Sequence, residues 1–442
     1  MPRSPLSVGL LLGGLVLAGC ARPGEAPVAA GSAPSAPARP EGCREVEAGS
    51  SLQPMLDAAR AGASLCLGSG DFSGPLRIPA GVTVWGHRDT VVRSSGDGTT
   101  VRLEGEGARV LGLTVDGSGG RFDTLDAAVL VRGDRTAVEG LTVRNSVFGI
   151  LVEKAHGAIL RGNHVVGTGG AALGMRGDGI RLWETRDSVV EDNRVEDSRD
   201  VVVWYSSRNQ LRRNTVTAGR YGTHFMYSHD NVVEDNHYVG NEVGIFVMYS
   251  RNITLRRNVL ADATGAAGMG LGLKESGNIT VLDNRFVRNT VGLYLDTSPL
   301  QAEDSNLFER NVFRLGDVGV IFHSSEQRNS FRANSFRDNH APVQVEGGGD
   351  ALGVAWHGND FDDYAGYDLD GDGVGDVPYE LRSLSSDLVA RYPDLSFFRG
   401  SPTLGLLRAA GELLPLFAPR PVLRDAAPRM SALNLEENAD AR

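Results

Sequence analysis

The chain has 442 residues, 57 of them glycine, with 7% aromatics and a formal net charge of −11 at pH 7. Glycine at that level, with few aromatics and no long amphipathic heptads, fits a turn-rich β protein. No basic stripe offsets the acidic balance, which argues against nucleic acid as a partner because phosphate binding needs clustered Lys and Arg.

Arg3 precedes an apolar run from Val8 to Val16 and then Leu17-Ala18-Gly19-Cys20. Residues 1–20 therefore read as a secretory signal ending in a lipobox, with Cys20 as the lipidated residue. An ordinary signal peptide cut nearby is the alternative. The run is too short to span a bilayer comfortably. Residues 21–43 are a Pro/Ala-rich linker, with Pro23, Pro27, Pro34, Pro37 and Pro40 predicting an extended, disordered tether. The mature protein is thus expected outside the cytoplasm, held to the inner or the outer membrane by lipid. Cys43 and Cys66 precede the repeats, and in an oxidising compartment such a pair predicts a disulfide. A metal or redox pair is the alternative.

From Ser51 to Gly62 the pattern predicts a short amphipathic helix with Leu52, Met55, Leu56 and Ala59 on one face, covering the open end of a β stack. Short alternating strands follow at Leu76–Ile78, Val82–Trp85, Val91–Arg93, Val101–Leu103, Val110–Val115 and Val129–Arg132. Clear repeats run from near Leu141 to about Phe361. Asn214, Asn236 and Asn258 lie 22 apart, and the phrase Met226-Tyr227-Ser228 returns 22 residues later as Met248-Tyr249-Ser250. A fixed period of this length marks a solenoid of stacked coils, here an all-β parallel β-helix over residues 44–378. Asn145, Asn163, Asn193 and their successors to Asn359 are read as one turn position, suited to Asn because it tolerates left-handed backbone angles and can bond its neighbours' backbone, so that stacked copies form a ladder. Longer spacings imply insertions at one corner.

Side chains alternate faces along a strand, so the repeat glycines assign each residue a side. Thr223, Phe225, Ile245 and Val247 point to the core. His224, Met226, Phe246 and Met248 point outward, with Trp183 and Trp204 below them and Lys274, Tyr294, Asp296 and His323 above. An outward column of apolar bulk marks an interaction face, for which Trp183, Trp204, Phe246 and Tyr294 are the candidates. Imidazole with thioether sulfur is a ligand set that favours Cu(I), which makes His224, Met226 and Met248 candidate copper ligands. Coverage of the same cluster by a loop, the tail or a partner is the competing reading.

In DLDGDGVGD, Asp368, Asp370, Asp372 and Asp376 occupy positions 1, 3, 5 and 9 of a calcium-type loop, with the Val374 carbonyl at 7. The twelfth residue is Tyr379 and not Glu, so the bidentate ligand is missing. An acidic turn without an ion is the alternative. Residues 379–442 form a C-terminal cap and tail: a helix from Ser401-Pro402 through Leu404, Leu407 and Leu413, and an extended tail forced by Pro419 to Pro421.

The passage Tyr221 to Ser228, the second Met248-Tyr249-Ser250, and Asp360 to Tyr379 with its DLDGDGVGDVPY resemble the NosD family, the extracytoplasmic accessory proteins of nitrous oxide reductase maturation. The resemblance implies a right-handed parallel β-helix without enzymatic activity. Its implied partners are the membrane subunit and ATPase of an ABC transporter, a copper chaperone that hands over Cu(I), and the reductase whose copper–sulfur centre is assembled. The lipobox departs from the soluble periplasmic form more familiar in that family. Two other classes remain open: a polysaccharide lyase or C5-epimerase recruiting Tyr221, His224, Lys274, Asp296 and His323 for proton abstraction, and a surface scaffold without chemistry.

Overall fold

A computed structural model describes residues 36–382 except 171 and 348, residues 421–433 and 435, and a few positions between 388 and 406. Cys20 and the signal segment lie outside the described residues, as do Leu404, Leu407 and Leu413 of the expected C-terminal helix.

The architecture is a parallel β-solenoid of three long sheets. Each coil contributes one short strand to each sheet, as with Gln210–Arg212, Thr215–Thr217 and Tyr221–Met226. The first sheet runs from Arg44–Val46 to Ala355–His357, the second from Gly70–Ser73 to Asp360–Phe361, and the third from Leu76–Ile78 to Ala341–Val345. Coils begin at Arg44, the expected start of the β-helix, and the strands Arg44–Val46, Ser64–Leu67 and Gly70–Ser73 precede the first strand expected from sequence. The segment Val110–Val115 is two strands, Arg109–Leu111 and Thr114–Asp116, with a corner at Gly112.

One continuous core fills the interior. It is aliphatic toward the N-terminus and becomes a column of stacked rings toward the other end, Phe286, Phe313, Phe336 and Phe361, at 4.6, 5.0 and 5.2 Å between centroids. The repeat glycines are set by closeness. A Cβ on Gly222 would lie 2.4 Å from the Gly244 carbonyl oxygen and 2.4 Å from the Tyr238 ring.

Corners are held by side-chain ladders. From Asn163 through Asn193, Asn214, Asn236, Asn258, Asn284 and Asn311 to Asn334, each backbone N–H and side-chain amide donates to the Oδ1 of the Asn one coil on, at 2.8–3.0 Å. The left-handed residue is the one before each Asn, for example Arg213, Asp235 and Arg257 at φ 53, 57 and 53°. The expected asparagine ladder is therefore present, while the expected backbone tolerance is corrected: the left-handed angle falls on the residue before. Asn145, itself at φ 56°, belongs to a different corner, between the second and third sheets. A serine ladder, Ser206, Ser228, Ser250, Ser276 and Ser298, holds the corner after the third sheet.

Insertions occur at two corners and not at one. Residues 167–179 and 262–268 lie between the second and third sheets, 297–305 and 346–354 between the third and first. The first pair brackets the three compact coils whose third-sheet strands begin at Asp200, Tyr221 and Val243.

The ends are closed separately. The helix spans Leu52–Asp57 and ends at Ala58, short of Gly62, whose N–H is taken up by Gly81 of the first coils. Leu52 and Leu56 are buried, and the Gln53 side chain meets both backbone groups of Arg77 on the first strand of the third sheet, capping that edge. The end of the linker is placed, not disordered: Trp85 Nε1 donates to the Pro37 carbonyl at 3.1 Å. Cys43 and Cys66 are joined, with Cα atoms 5.7 Å apart. At the far end Pro421–Asp425 pairs antiparallel with Tyr379–Arg382, so the expected extended tail is in part a strand. The Asp425 carboxylate accepts from the N–H and amide of Asn359 at 2.9 and 2.8 Å, terminating the asparagine ladder. Among the described residues no helix is long and apolar enough to cross a membrane.

Candidate functional site on the third sheet

The third sheet carries the outward column in register. Val202 pairs with His224 and Trp204 with Met226; His224 then pairs with Phe246, and Met226 with Met248. Above them Met248 pairs with Lys274, and Lys274 with Asp296. The column is less open than an exposed apolar patch. Val202 and His224 are buried, and Trp183, Trp204, Met226, Phe246 and Met248 are half-buried, because neighbouring bulky side chains cover one another.

His224, 6% exposed, is the centre. Its Nε2 lies 3.3 Å from the Met248 sulfur, a diagonal neighbour on the next strand. Trp204 and Tyr221 meet its ring edge to face at 5.3 and 4.9 Å, and Phe246 lies parallel at 6.3 Å. Phe246 has room because Gly272 stands above it; a Cβ there would fall 2.6 Å from the ring. Met226 shares the strand and the face, one pairing below Met248. The column thus brings imidazole nitrogen and thioether sulfur into contact in a hydrophobic setting suited to a soft cation, with bonds of about 2.0–2.3 Å, as at zinc, able to bridge the gap.

The other ring nitrogen faces charge. His224 Nδ1 is buried without a hydrogen-bond partner, 3.8 Å from Asp200 Oδ2. The coil there is one residue short: Asn193 and Asn214 are 21 apart, and the register shifts between Asp200 and Val202. Asp200, which stands where the next repeats have Gly222 and Gly244, therefore pairs with Tyr221 and turns its carboxylate to the outer face. Arg220 binds that carboxylate through two bonds, at 3.0 and 2.5 Å. Burial opposes ionisation of Asp200, yet His224 and Arg220 hold its pKa below the usual carboxylate range. Asp178, one coil below, goes the other way: burial raises it, against the pull of Arg199, and repulsion from Asp200 adds to the rise. Arg181 stacks on Trp183 and Trp204 at 4.6 and 5.2 Å. Asp178 Oδ2, Arg181 Nε and Trp204 Nε1 are buried without hydrogen-bond partners as well, though Asp178 Oδ2 lies 3.5 Å from the Arg181 guanidinium.

The upper part of the column differs in character. Lys274 and Asp296 form an ion pair at 2.7 Å that raises the Lys274 pKa. Tyr294 donates to Glu346 at 3.1 Å, and His323 meets the same carboxylate at 3.2 Å. Tyr294 is thus placed with this polar group, away from Trp183 and Trp204.

Sequence reading missed Asp200 and Arg220 as members of the site; the signal available was an acidic residue in a column of glycines. It also missed Tyr205, Tyr227 and Tyr249, each directly after Trp204, Met226 or Met248. They stack on the outside of the corner at 5.4 and 5.0 Å.

In the calcium-type loop, ligand atoms of Asp368, Asp370 and Asp372 lie within 4.8 Å of one another. Asp376 turns instead to accept the Leu369 N–H at 2.7 Å, and the segment at 428–430 braces the loop through Gly375 N–H to the Pro428 carbonyl and Met430 N–H to the Gly373 carbonyl. The Val374 N–H donates to Asp372, and its residue bridges to Arg429.

Coils and column together define a parallel β-solenoid protein whose distinctive side chains sit on the outer face of one sheet. Comparison with known proteins narrows this class. The family model of NosD, described as a periplasmic copper-binding protein, matches residues 167–366, the stretch that contains the column. Two proteins named probable ABC transporter binding protein NosD align with 82% of the chain. That of Stutzerimonas stutzeri is 25% identical over 86% of its own length, and that of Pseudomonas aeruginosa 27% identical over 87%. The chain is similar to the NosD proteins over residues 167–366 and along most of the length of these two relatives. Among solved structures, the A-module of the Azotobacter vinelandii mannuronan C-5 epimerase AlgE6 matches 69% of this chain and 94% of its own, with a TM-score of 0.53 at 14% identity, a likeness of fold alone.

Proposed function

We propose that this protein is a non-enzymatic, lipid-anchored periplasmic accessory factor that binds Cu(I) at His224, Met226 and Met248. It receives the ion from a copper chaperone and passes it on, with an ABC transporter, during assembly of the copper–sulfur centre of nitrous oxide reductase. The observation that carries the reading is the 3.3 Å approach of His224 Nε2 to the Met248 sulfur inside the family-matched region. The family's description as copper-binding and the transporter-associated names of the relatives support it. Half-buried Trp183, Trp204 and Phe246 would exclude water from the ion and offer apolar surface at its rim. The lyase reading is weakened by the same geometry: Lys274 is held as a cation by Asp296, His224 is buried beneath rings, and His323 is committed to Glu346.

The test is Cu(I) affinity of the purified mature chain against a chromogenic Cu(I) chelator. Replacing Met226 and Met248 with Ala is expected to abolish retention; unchanged stoichiometry and affinity would sink the copper site. Release of unsaturated sugars from alginate would favour a lyase. We also assign Asp368, Asp370, Asp372 and the Val374 carbonyl to a weak structural calcium site, with Asp376 joining on binding. Chelation is expected to lower the melting temperature by about 1–2 °C, as about 1 kcal/mol does at an unfolding entropy of about 2.1 cal/mol/K per residue in a fold of this size. No shift on adding back Ca²⁺ would refute this assignment.

A further inference from the structure

The neutral imidazole of His224 has two tautomers, and its surroundings treat them unequally. With the proton on Nε2, the ring donates to a thioether, a weak acceptor, and points the Nδ1 lone pair at the anionic Asp200 carboxylate. With the proton on Nδ1, the ring faces Asp200 Oδ2 with a donor, across 3.8 Å that a small ring rotation closes to a charge-assisted hydrogen bond. That bond is roughly twice as strong as a neutral one. It also answers the orphaned Nδ1, and it turns the Nε2 lone pair onto the Met248 sulfur at 3.3 Å.

We propose that Asp200 is a positioning residue that fixes His224 with its proton on Nδ1, so that Nε2 and the Met248 sulfur converge as a ready two-donor seat for a soft cation. The proposal deepens the copper reading and rests on it for the identity of the cation. Asp200 can serve because the missing residue in its coil throws the carboxylate outward, and because Arg220 holds it from the far side through both oxygens. A carboxylate behind a ligating imidazole fixes the ring and strengthens the ligand, and its loss costs about 10–100-fold in metal affinity at comparable sites.

Asp200→Asn is the informative variant because its outcome follows from the donors present. Oδ1 accepts two bonds, from Arg220 Nε and the Tyr221 N–H at 3.0 and 3.3 Å, and Oδ2 one, from Arg220 Nη2 at 2.5 Å, so the amide oxygen keeps the larger number by taking the Oδ1 place. The NH₂ group then occupies the Oδ2 place, displaces Arg220 Nη2 and donates toward Nδ1. The tautomer inverts, and Nε2 carries the proton.

The experiment uses the full mature chain with ¹⁵N-labelled histidine, metal-free and above pH 8, with His224 signals identified by their loss in His224→Gln. In the wild type Nδ1 is expected to be protonated and Nε2 bare; in Asp200→Asn the two exchange. Cu(I) affinity, read against the same chelator, falls about 10–100-fold in Asp200→Asn. A wild-type proton on Nε2, or an unchanged tautomer in the variant, overturns the proposal. If Asp200→Asn fails to fold, the wild-type tautomer alone still decides. Met248→Leu separates the two claims: it should weaken Cu(I) binding and leave the tautomer alone. If it leaves Cu(I) affinity intact, the copper reading fails while the tautomer measurement still judges Asp200.

Discussion

The corners and the outer face of the same coils are built on opposite rules. At the asparagine corner identical residues stack, and every amide finds its partner one coil away; Asn236 alone accepts two bonds from Asn214 and donates to Asn258, Leu211 and Glu234. On the third sheet of those coils unlike residues stack, and His224, Trp204, Arg181 and Asp178 each keep a buried polar atom without a hydrogen bond. A fold gains nothing from unpaired buried groups, each of which costs about 1–3 kcal/mol. The first region therefore reads as architecture and the second as a place kept for something else.

The sharpest way to break this contrast is to cut the ladder. Asn236→Ala leaves the Asn214 N–H without its partner in a dry corner, leaves the Asn214 amide only its bond to Val190, and takes a donor from the Leu211 and Glu234 carbonyls, so a loss of roughly 3–5 kcal/mol is expected in urea unfolding. Met248→Leu, on the face of the next coil, conserves volume and should cost less than about 1.5 kcal/mol. A loss under about 1 kcal/mol for Asn236→Ala would show that the corner is not what holds the coils.

A second test uses charge. On the outside of the first sheet Glu191, its side chain 3% exposed, binds Arg161, Arg212 and Arg213 at 2.6, 2.6 and 2.7 Å, bridging the coils on either side. Burial would raise its pKa, but the three guanidinium groups bring it down to about 2. A depressed carboxylate stabilises the fold in full above its unfolded pKa, near 4.3, and the contribution is lost as pH falls toward the folded value. Glu191→Gln should therefore cost roughly 3 kcal/mol at pH 7 and little near pH 2. A deficit that does not shrink on acidification would place its cause in packing and not in charge.

Legibility in the sequence follows the same division. The stack, the two faces of His224 and Phe225, and the pairing of Met226 with Met248 are written in a 22-residue period and a two-residue alternation, both strictly local rules. The first coils, Arg44–Val46 and Ser64–Leu67, were silent because a helix separates them and their corners do not repeat. Asp200 was half legible: its departure from glycine was visible, but only the shifted pairing with Tyr221 shows where the carboxylate goes. Asp425 as the end of the asparagine ladder depends on an antiparallel pairing across a long, non-repeating segment, which no periodicity encodes.

The smallest expected effect probes where architecture ends and the outer face begins. Tyr205, Tyr227 and Tyr249 occupy left-handed positions at φ 52, 50 and 50°, just before the serine ladder. For a bulky residue that conformation costs about 1–2 kcal/mol, while Asn takes it readily. Stacking at 5.4 and 5.0 Å, with interplanar angles of 11 and 16°, returns about 0.5–1.5 kcal/mol per ring pair, and less where Tyr205 and Tyr227 stand nearly half exposed. The two nearly cancel, so Tyr227→Asn should change unfolding free energy by no more than about 1 kcal/mol, whereas Ser228→Ala, one residue on, removes the acceptor of the Ser206 N–H and should cost more, about 1–3 kcal/mol. If Tyr227→Asn proves the more damaging, the tyrosine column braces the corner and belongs with the ladders. If it is neutral, three strained rings persist beside Met226 and Met248 without serving the fold, and they belong with the outer face.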